Sequence, residues 1–284
     1  MIRYYCSGFD VNNAFGHGLG DMFKSELDDT KSIVYIPGSP EKIEKAKTKY
    51  IPAFTTHFKN IGIEFENVNI ITPDLTSNEA KSMIQEARFV MLMGGDPFNQ
   101  KEMCEKLDII KDLKSFNGVM MGFSAGAMLM SKYIIVTPCS LEYPEFRIEN
   151  GLNFDNLSIY PHNNTSNTEY PDILSVGEET YKKQDLIKVA QEYGKFYLLQ
   201  DNLREDGLTD VSIIKSTDGV IEYYYELDGK IWVVNDDIEL LWKRRIVWGV
   251  NRINKSSYLH NLYNENKDGS YELINRALVL TSKL

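Results

Sequence analysis

Positive charge, cysteine, histidine and long apolar runs are all scarce in this 284-residue chain, and each scarcity excludes something. Lys and Arg total 31 against 41 Asp and Glu, a net charge of −10. With no basic stripe, neither nucleic acid nor an anionic membrane surface is an expected partner. The three cysteines, Cys6, Cys104 and Cys139, are odd in number and share no metal-ligand spacing. That argues against a disulfide framework or a zinc site and fits free thiols in a reducing cytoplasm. No apolar run reaches the roughly 18 residues of a membrane span. The opening residues, Met1-Ile2-Arg3-Tyr4-Tyr5-Cys6, read as the start of a strand rather than a signal peptide. Gly16-His17-Gly18-Leu19-Gly20 is not a dinucleotide-binding G-x-G-x-x-G, because its third glycine comes one residue early. No cofactor and no metal are expected, and no internal repeat is visible.

What remains is a chain 43% hydrophobic, able to bury a large core. Short apolar segments alternate with helical ones. Strands are expected at Ile2–Ser7, Ser32–Pro37, Ile63–Ile71, Phe89–Met93 and just before Ser124. Helices are expected at Asp21–Leu27, from Ser39-Pro40-Glu41 to about Lys59, from Ser77 through Ala87, at Lys101–Leu107 and at Ile109–Phe116. Such alternation predicts an α/β fold, a mostly parallel sheet with helices on both faces. Further strand-like runs at Leu157–Tyr160 and Lys195–Gln200 flank a helix expected over Val176–Tyr193. Asp218-Gly219 and Asp228-Gly229 punctuate Val211–Lys215, Ile221–Tyr225 and Ile231–Val234 as hairpin strands, which adds antiparallel strands to the sheet. Residues 1–235 read as the α/β domain, and 236–284 as a helical C-terminal extension packed on it.

The chemistry concentrates at Gly122-Phe123-Ser124-Ala125-Gly126, a G-x-S-x-G between an apolar strand and a helix former run. By composition this pattern arises in about one chain of this length in ten, so its strand–turn–helix setting matters more than the letters. Glycines there let strand and helix approach closely and expose the hydroxyl at a helix N-terminus. A serine hydroxyl needs a base. Of the four histidines, His17, His57, His162 and His260, only His162 follows a predicted strand directly, behind Pro161. An orienting carboxylate is expected at Asp201, with Glu205 and Asp206 as alternatives. The amides of Gly95 and Ala125 are the expected oxyanion donors. Carboxyl ends of strands are where sites form in such sheets, so these positions can meet.

Three stretches, Met93-Gly94-Gly95-Asp96-Pro97-Phe98, Gly122-Phe123-Ser124-Ala125-Gly126-Ala127 and Tyr160-Pro161-His162-Asn163-Asn164, together resemble the peptidase E (aspartyl dipeptidase) family of serine peptidases, to which cyanophycinase is related. The spacing fits as well, with the serine about 30 residues after the glycine loop and the histidine 38 residues after the serine. The resemblance covers roughly residues 1–225. It implies a glutamine-amidotransferase-like (flavodoxin-like) three-layer sandwich. It also implies Ser124 as nucleophile, His162 as base, Asp201 or Glu205 as acid, and Gly95 and Ala125 as oxyanion amides. Asp96, Asn163 and Tyr181 fall at substrate-facing positions. Two departures concern specificity. Asp96-Pro97 replaces the family's usual glycine-loop sequence, and Tyr181 stands where an arginine reads the substrate aspartate. Adjacent Lys182 and Lys183 do not reproduce a bidentate fork. The expectation is therefore a cytoplasmic serine hydrolase acting on a short peptide or isopeptide, with Asp-X recognition not implied and homodimerisation left open. The same residues would also serve an esterase or amidase, or a silent small-ligand-binding relative.

Overall fold

Strands apolar on both faces must be covered on both faces, and the first half of the chain does this. The computed structural model describes residues 1–8, 19–27, 30–137, 146–163, 173–176, 179–201, 209, 211–226, 231–234, 238–240 and 246–247. In chain order, β1 (Ile2–Cys6), α1 (Leu19–Glu26), β2 (Ser32–Gly38), α2 (Ile43–Lys45), α3 (Ile51–Asn60), β3 (Asn67–Ile70), α4 (Ser77–Glu86), β4 (Phe89–Gly95), α5 (Pro97–Lys106), α6 (Ile110–Ser115), β5 (Val119–Phe123) and α7 (Ala125–Met130) build the parallel part. Strands β3, β2, β4, β5 and β1 lie side by side in that order, all parallel. Alternate residues feed two cores. Ile33, Tyr35, Phe89, Met91 and Met121 pack with Phe23 of α1 and Phe54 and Phe58 of α3. Val34, Ile36, Val90, Leu92 and Met120 pack on the other face with α4, α5, α6 and α7.

The second half adds β6 (Tyr133–Val136), β7 (Arg147–Asn150), β8 (Ser158–Tyr160), β9 (Ile173–Val176), β10 (Glu179–Lys182), α8 (Lys183–Gln191), β11 (Phe196–Leu199), β12 (Val211–Thr217), β13 (Val220–Glu226), β14 (Ile231–Val234), β15 (Ile238–Leu240) and β16 (Ile246–Val247). The β12–β13 hairpin turns at Asp218 and Gly219, both with positive φ, and β12 joins β1 antiparallel. The central sheet thus has eight strands in the order β16-β13-β12-β1-β5-β4-β2-β3. The expected α/β class, mostly parallel with an antiparallel edge, is what the chain adopts.

Several local expectations differ. A single sheet was expected, but β8, β11, β14 and β15 form a second, four-stranded one. β14 pairs with β11 instead of its hairpin neighbour β13, and its Ile231 joins Tyr197 and Leu199 in the core. The helix expected over Val176–Tyr193 starts only at Lys183. The strand pair β9–β10 precedes it, and there Tyr181 lies opposite Leu174. α5 begins at Pro97 rather than Lys101, because Asp96 caps it and Pro97 fills the first turn. Ser39 makes no such cap. The segment after it winds through a 3₁₀ turn, α2 and a π-helical stretch before α3. Within the extension expected to be helical, Ile238–Leu240 and Ile246–Val247 are strands, each drawn into a sheet by pairing with β14 or β13. The rest of 236–284 lies outside the described residues.

Two buried ionic clusters fix β1. On one face the Tyr4 hydroxyl donates to Glu26, which Lys215 pairs at 2.6 Å. On the other, Asp155 accepts from Arg3, Tyr5 and Ser216. Cys6 and Cys104 are buried, and burial pushes the Cys104 thiol up to about 12. Cys139 lies outside the described residues.

Candidate active site

The turn between β5 and α7 is a sharp, strained piece of backbone. Ser124 sits at φ 53°, ψ −120°, a conformation few non-glycine residues adopt. Its neighbours explain how it is held. A Cβ on Gly122 would stand 2.6 Å from the Gly126 carbonyl carbon, and one on Gly126 would stand 2.1 Å from the Leu92 carbonyl oxygen. Only glycines let β5, α7 and β4 approach so closely. The Ser124 N–H donates to the Cys6 carbonyl at 3.1 Å, which ties the turn to β1.

The second sheet brings the partners. β8 and β11 are parallel, with Tyr160 opposite Leu198, so the residues that follow them emerge at the same edge. His162 has a φ of 56°, and the Asn163 N–H after it donates to the Leu199 carbonyl at 2.9 Å. The ring then spans two groups. Nε2 lies 2.7 Å from Ser124 Oγ, and Nδ1 lies 2.7 Å from Asp201 Oδ2. A carboxylate only accepts, so Nδ1–H donates to Asp201 and a neutral ring leaves Nε2 to accept from the hydroxyl. His162 is 48% exposed and the Asp201 side chain 10%. The imidazole is therefore open to an entering molecule while its orienting carboxylate is largely shielded. This is the geometry by which an imidazole removes a hydroxyl proton and its charged form is stabilised.

Gly94-Gly95 runs beside the serine: a Cβ on Gly94 would lie 3.4 Å from Ser124 Cβ. Gly95 has a φ of 153° and is packed against Gly38, so its amide stands at the end of β4 next to the elbow. Ala125 is the first residue of α7, where helical amides lack an intrahelical acceptor. Asp96 Oδ1 accepts from the amides of Phe98 and Asn99 at 2.8 and 2.9 Å, and so serves as a helix cap. The Asn163 side chain is fully buried, and its amide atoms have no hydrogen-bond partner among the described residues. The side chain of Tyr181, and Glu205 and Asp206 as a whole, lie outside the described residues. Among the described residues no cluster suited to a metal ion occurs, and no helix is long and apolar enough to cross a membrane.

Sequence reasoning missed two residues at this site, Ser7 and Gly8. Ser7 Oγ donates to the Gln200 carbonyl at 2.8 Å and accepts from the Ser212 N–H at 3.2 Å. Gly8 faces Asp201 directly. The only sequence signal was a pair of small residues at the carboxyl end of a predicted strand.

The sequence model described as Peptidase family S51 matches residues 7–198 of this chain. Among solved structures, a "Putative Peptidase E Protein" from Listeria monocytogenes EGD-e is similar at a TM-score of 0.51 and 16% identity, covering 78% of this chain and 96% of that one. A peptidase from an acI-B1 Actinobacterium is similar at a TM-score of 0.52 and 15% identity, covering 84% of this chain and 93% of that one. At those identities the likeness shows a shared fold. No curated protein sequence matches the chain significantly.

Proposed function

The chain belongs to peptidase family S51 and is a serine peptidase, and from that premise we propose that it cleaves a short peptide or isopeptide bond through an acyl-enzyme on Ser124. The observation carrying this reading is the unbroken chain Ser124 Oγ, His162 Nε2, His162 Nδ1, Asp201 Oδ2, with both contacts at 2.7 Å. In the first step Oγ attacks the scissile carbonyl carbon and its proton passes to Nε2. The tetrahedral oxyanion is held by the amides of Gly95 and Ala125. The C–N bond breaks, and the amine leaves with the proton returned by the imidazolium. Water then repeats the sequence on the acyl-enzyme, giving the acid and free Ser124. Asp201 keeps the ring in the required tautomer throughout.

Substrate preference follows from the chemistry of two residues at positions the family resemblance gives to substrate recognition. Asp96 beside Gly95 disfavours an acidic side chain there, and Tyr181 offers no guanidinium to bind one. Neutral or basic residues on the acyl side are favoured over aspartate. The experiment is hydrolysis of a dipeptide panel alongside short-chain esters, by wild type and Ser124→Ala. If the triad acts as a unit, Ser124→Ala lowers turnover by on the order of 10⁶-fold. Equal turnover by the purified variant would remove the serine mechanism. Ester hydrolysis with inert dipeptides would replace the peptidic substrate with a non-peptide acyl group.

A further inference from the structure

Asp201 follows a strand of the second sheet, whereas Ser124 follows a strand of the first. Their alignment therefore depends on whatever holds the two sheet edges in register. The structure supplies a seat at the carboxyl end of β1. Ser7 is fully buried and joins three strand ends. Its N–H donates to the Ser212 carbonyl at 3.0 Å, its hydroxyl accepts from the Ser212 N–H, and the same hydroxyl donates to the carbonyl of Gln200, the residue before Asp201. The next residue has no side chain, and the space is taken by the acid. A Cβ built on Gly8 would lie 2.0 Å from Asp201 Oδ2, 3.0 Å from its Cγ and 3.3 Å from its Cβ. Oδ2 is the oxygen that accepts from His162 Nδ1.

We propose that Ser7 and Gly8 are positioning residues, Ser7 fixing the backbone that carries Asp201 and Gly8 providing the space in which its carboxylate meets His162. The inference rests on the reading of Asp201 as the acid of the triad. It adds that the acid's placement is dictated by β1, an element remote from it in sequence. Alanine at position 8 cannot share space with Oδ2, and the clashing group is the end of a short, rotatable side chain. The carboxylate swings away, so catalytic alignment suffers more than folding does.

The test is a cycle of Gly8→Ala, Asp201→Ala and the double variant, read as kcat and KM for a cleaved dipeptide and as Tm. A displacement near 1 Å costs on the order of 10²-fold, so Gly8→Ala is expected to lower kcat by about that much with KM nearly constant. Loss of the acid is expected to cost about 10⁴-fold. In the Asp201→Ala background the new methyl enters vacated space. The double variant is then expected to match Asp201→Ala in both kcat and Tm. Ser7→Ala gives an independent arm, with a kcat loss that likewise disappears once Asp201 is alanine; this arm decides the matter if Gly8→Ala does not fold. Gly8→Ala with wild-type kcat, or with the same fold-loss in both backgrounds, overturns the inference while leaving the triad intact. Asp201→Ala with wild-type kcat removes the acid assignment itself, and the inference with it.

Discussion

Replacing Asp155 by alanine removes a carboxylate that holds three donors away from water. Its side chain is 1% exposed, and that of Arg3 is 12% exposed. Oδ1 accepts from Arg3 Nη1 at 2.7 Å and from Ser216 Oγ at 2.6 Å, and Oδ2 accepts from the Tyr5 hydroxyl at 2.5 Å. Arg3 and Ser216 are direct cross-strand partners on β1 and β12, so the one carboxylate ties two central strands to the loop before β8. Alanine leaves a mostly buried guanidinium without its counter-charge. Removing one partner of a buried pair costs about 3–5 kcal/mol. The stacking of Arg3 on the Phe154 ring, 4.9 Å to its centroid, is charge–quadrupole in kind and does not replace a carboxylate. In a domain of this size such a loss lowers Tm by roughly 6–20 °C. Urea unfolding followed by circular dichroism reads it as a shifted midpoint with unchanged slope. Arg3 and Ser216 lie at the far end of β1 from Gly8, so turnover by the folded variant stays near wild type. A stability loss under about 1 kcal/mol would refute the reasoning, because it would mean the Arg3 charge is already hydrated.

Gly126→Ala places a methyl 2.1 Å from a backbone oxygen that cannot rotate away. Stability is expected to fall by about 1–3 kcal/mol, and dipeptide kcat/KM by more than about tenfold as α7 shifts under Ser124; wild-type kinetics would contradict the packing account of the elbow. The capping box of α4 gives a pH-dependent prediction. The Thr76 hydroxyl, and after it the Thr76 amide, donate to Glu79 and hold its carboxyl below the usual range. A depressed carboxyl stabilises above its unfolded value and stops doing so as pH falls through the folded one. Glu79→Gln should therefore melt below wild type at pH 7, with the gap closing as pH falls through the depressed folded value, whereas a pH-independent gap would show that charge is not the cause.

The parallel layer was legible because its signal is local. Runs such as Phe89–Met93 are apolar at every position, which fits a strand buried on both faces and little else of that length. The elbow was legible for a related reason: Gly122, Ser124 and Gly126 fall within five residues, although the demand on Gly126 comes from Leu92 of β4. Other features depended on distant partners. β14 reads as the next hairpin strand after β13, yet it pairs with β11, where Ile231 lies opposite Leu199 and joins it in the core. Asp96 shows a cue that was present and read differently. Asp followed by Pro is a strong helix start, yet the helix was expected only from Lys101, because Asp96-Pro97 was read as the end of a glycine loop. Gly8 carried no cue beyond being a small residue at a strand end, since its neighbour Asp201 is known only once two sheets are docked.

The central claim is that Ser124 is a nucleophile activated by His162. Treatment with a fluorophosphonate, followed by peptide mass mapping, tests it most directly. The expected result is one adduct, on Ser124, formed far more slowly in His162→Ala and absent in Ser124→Ala. A protein that cleaves dipeptides while Ser124 stays unmodified, or that is labelled equally fast without the imidazole, would contradict the account.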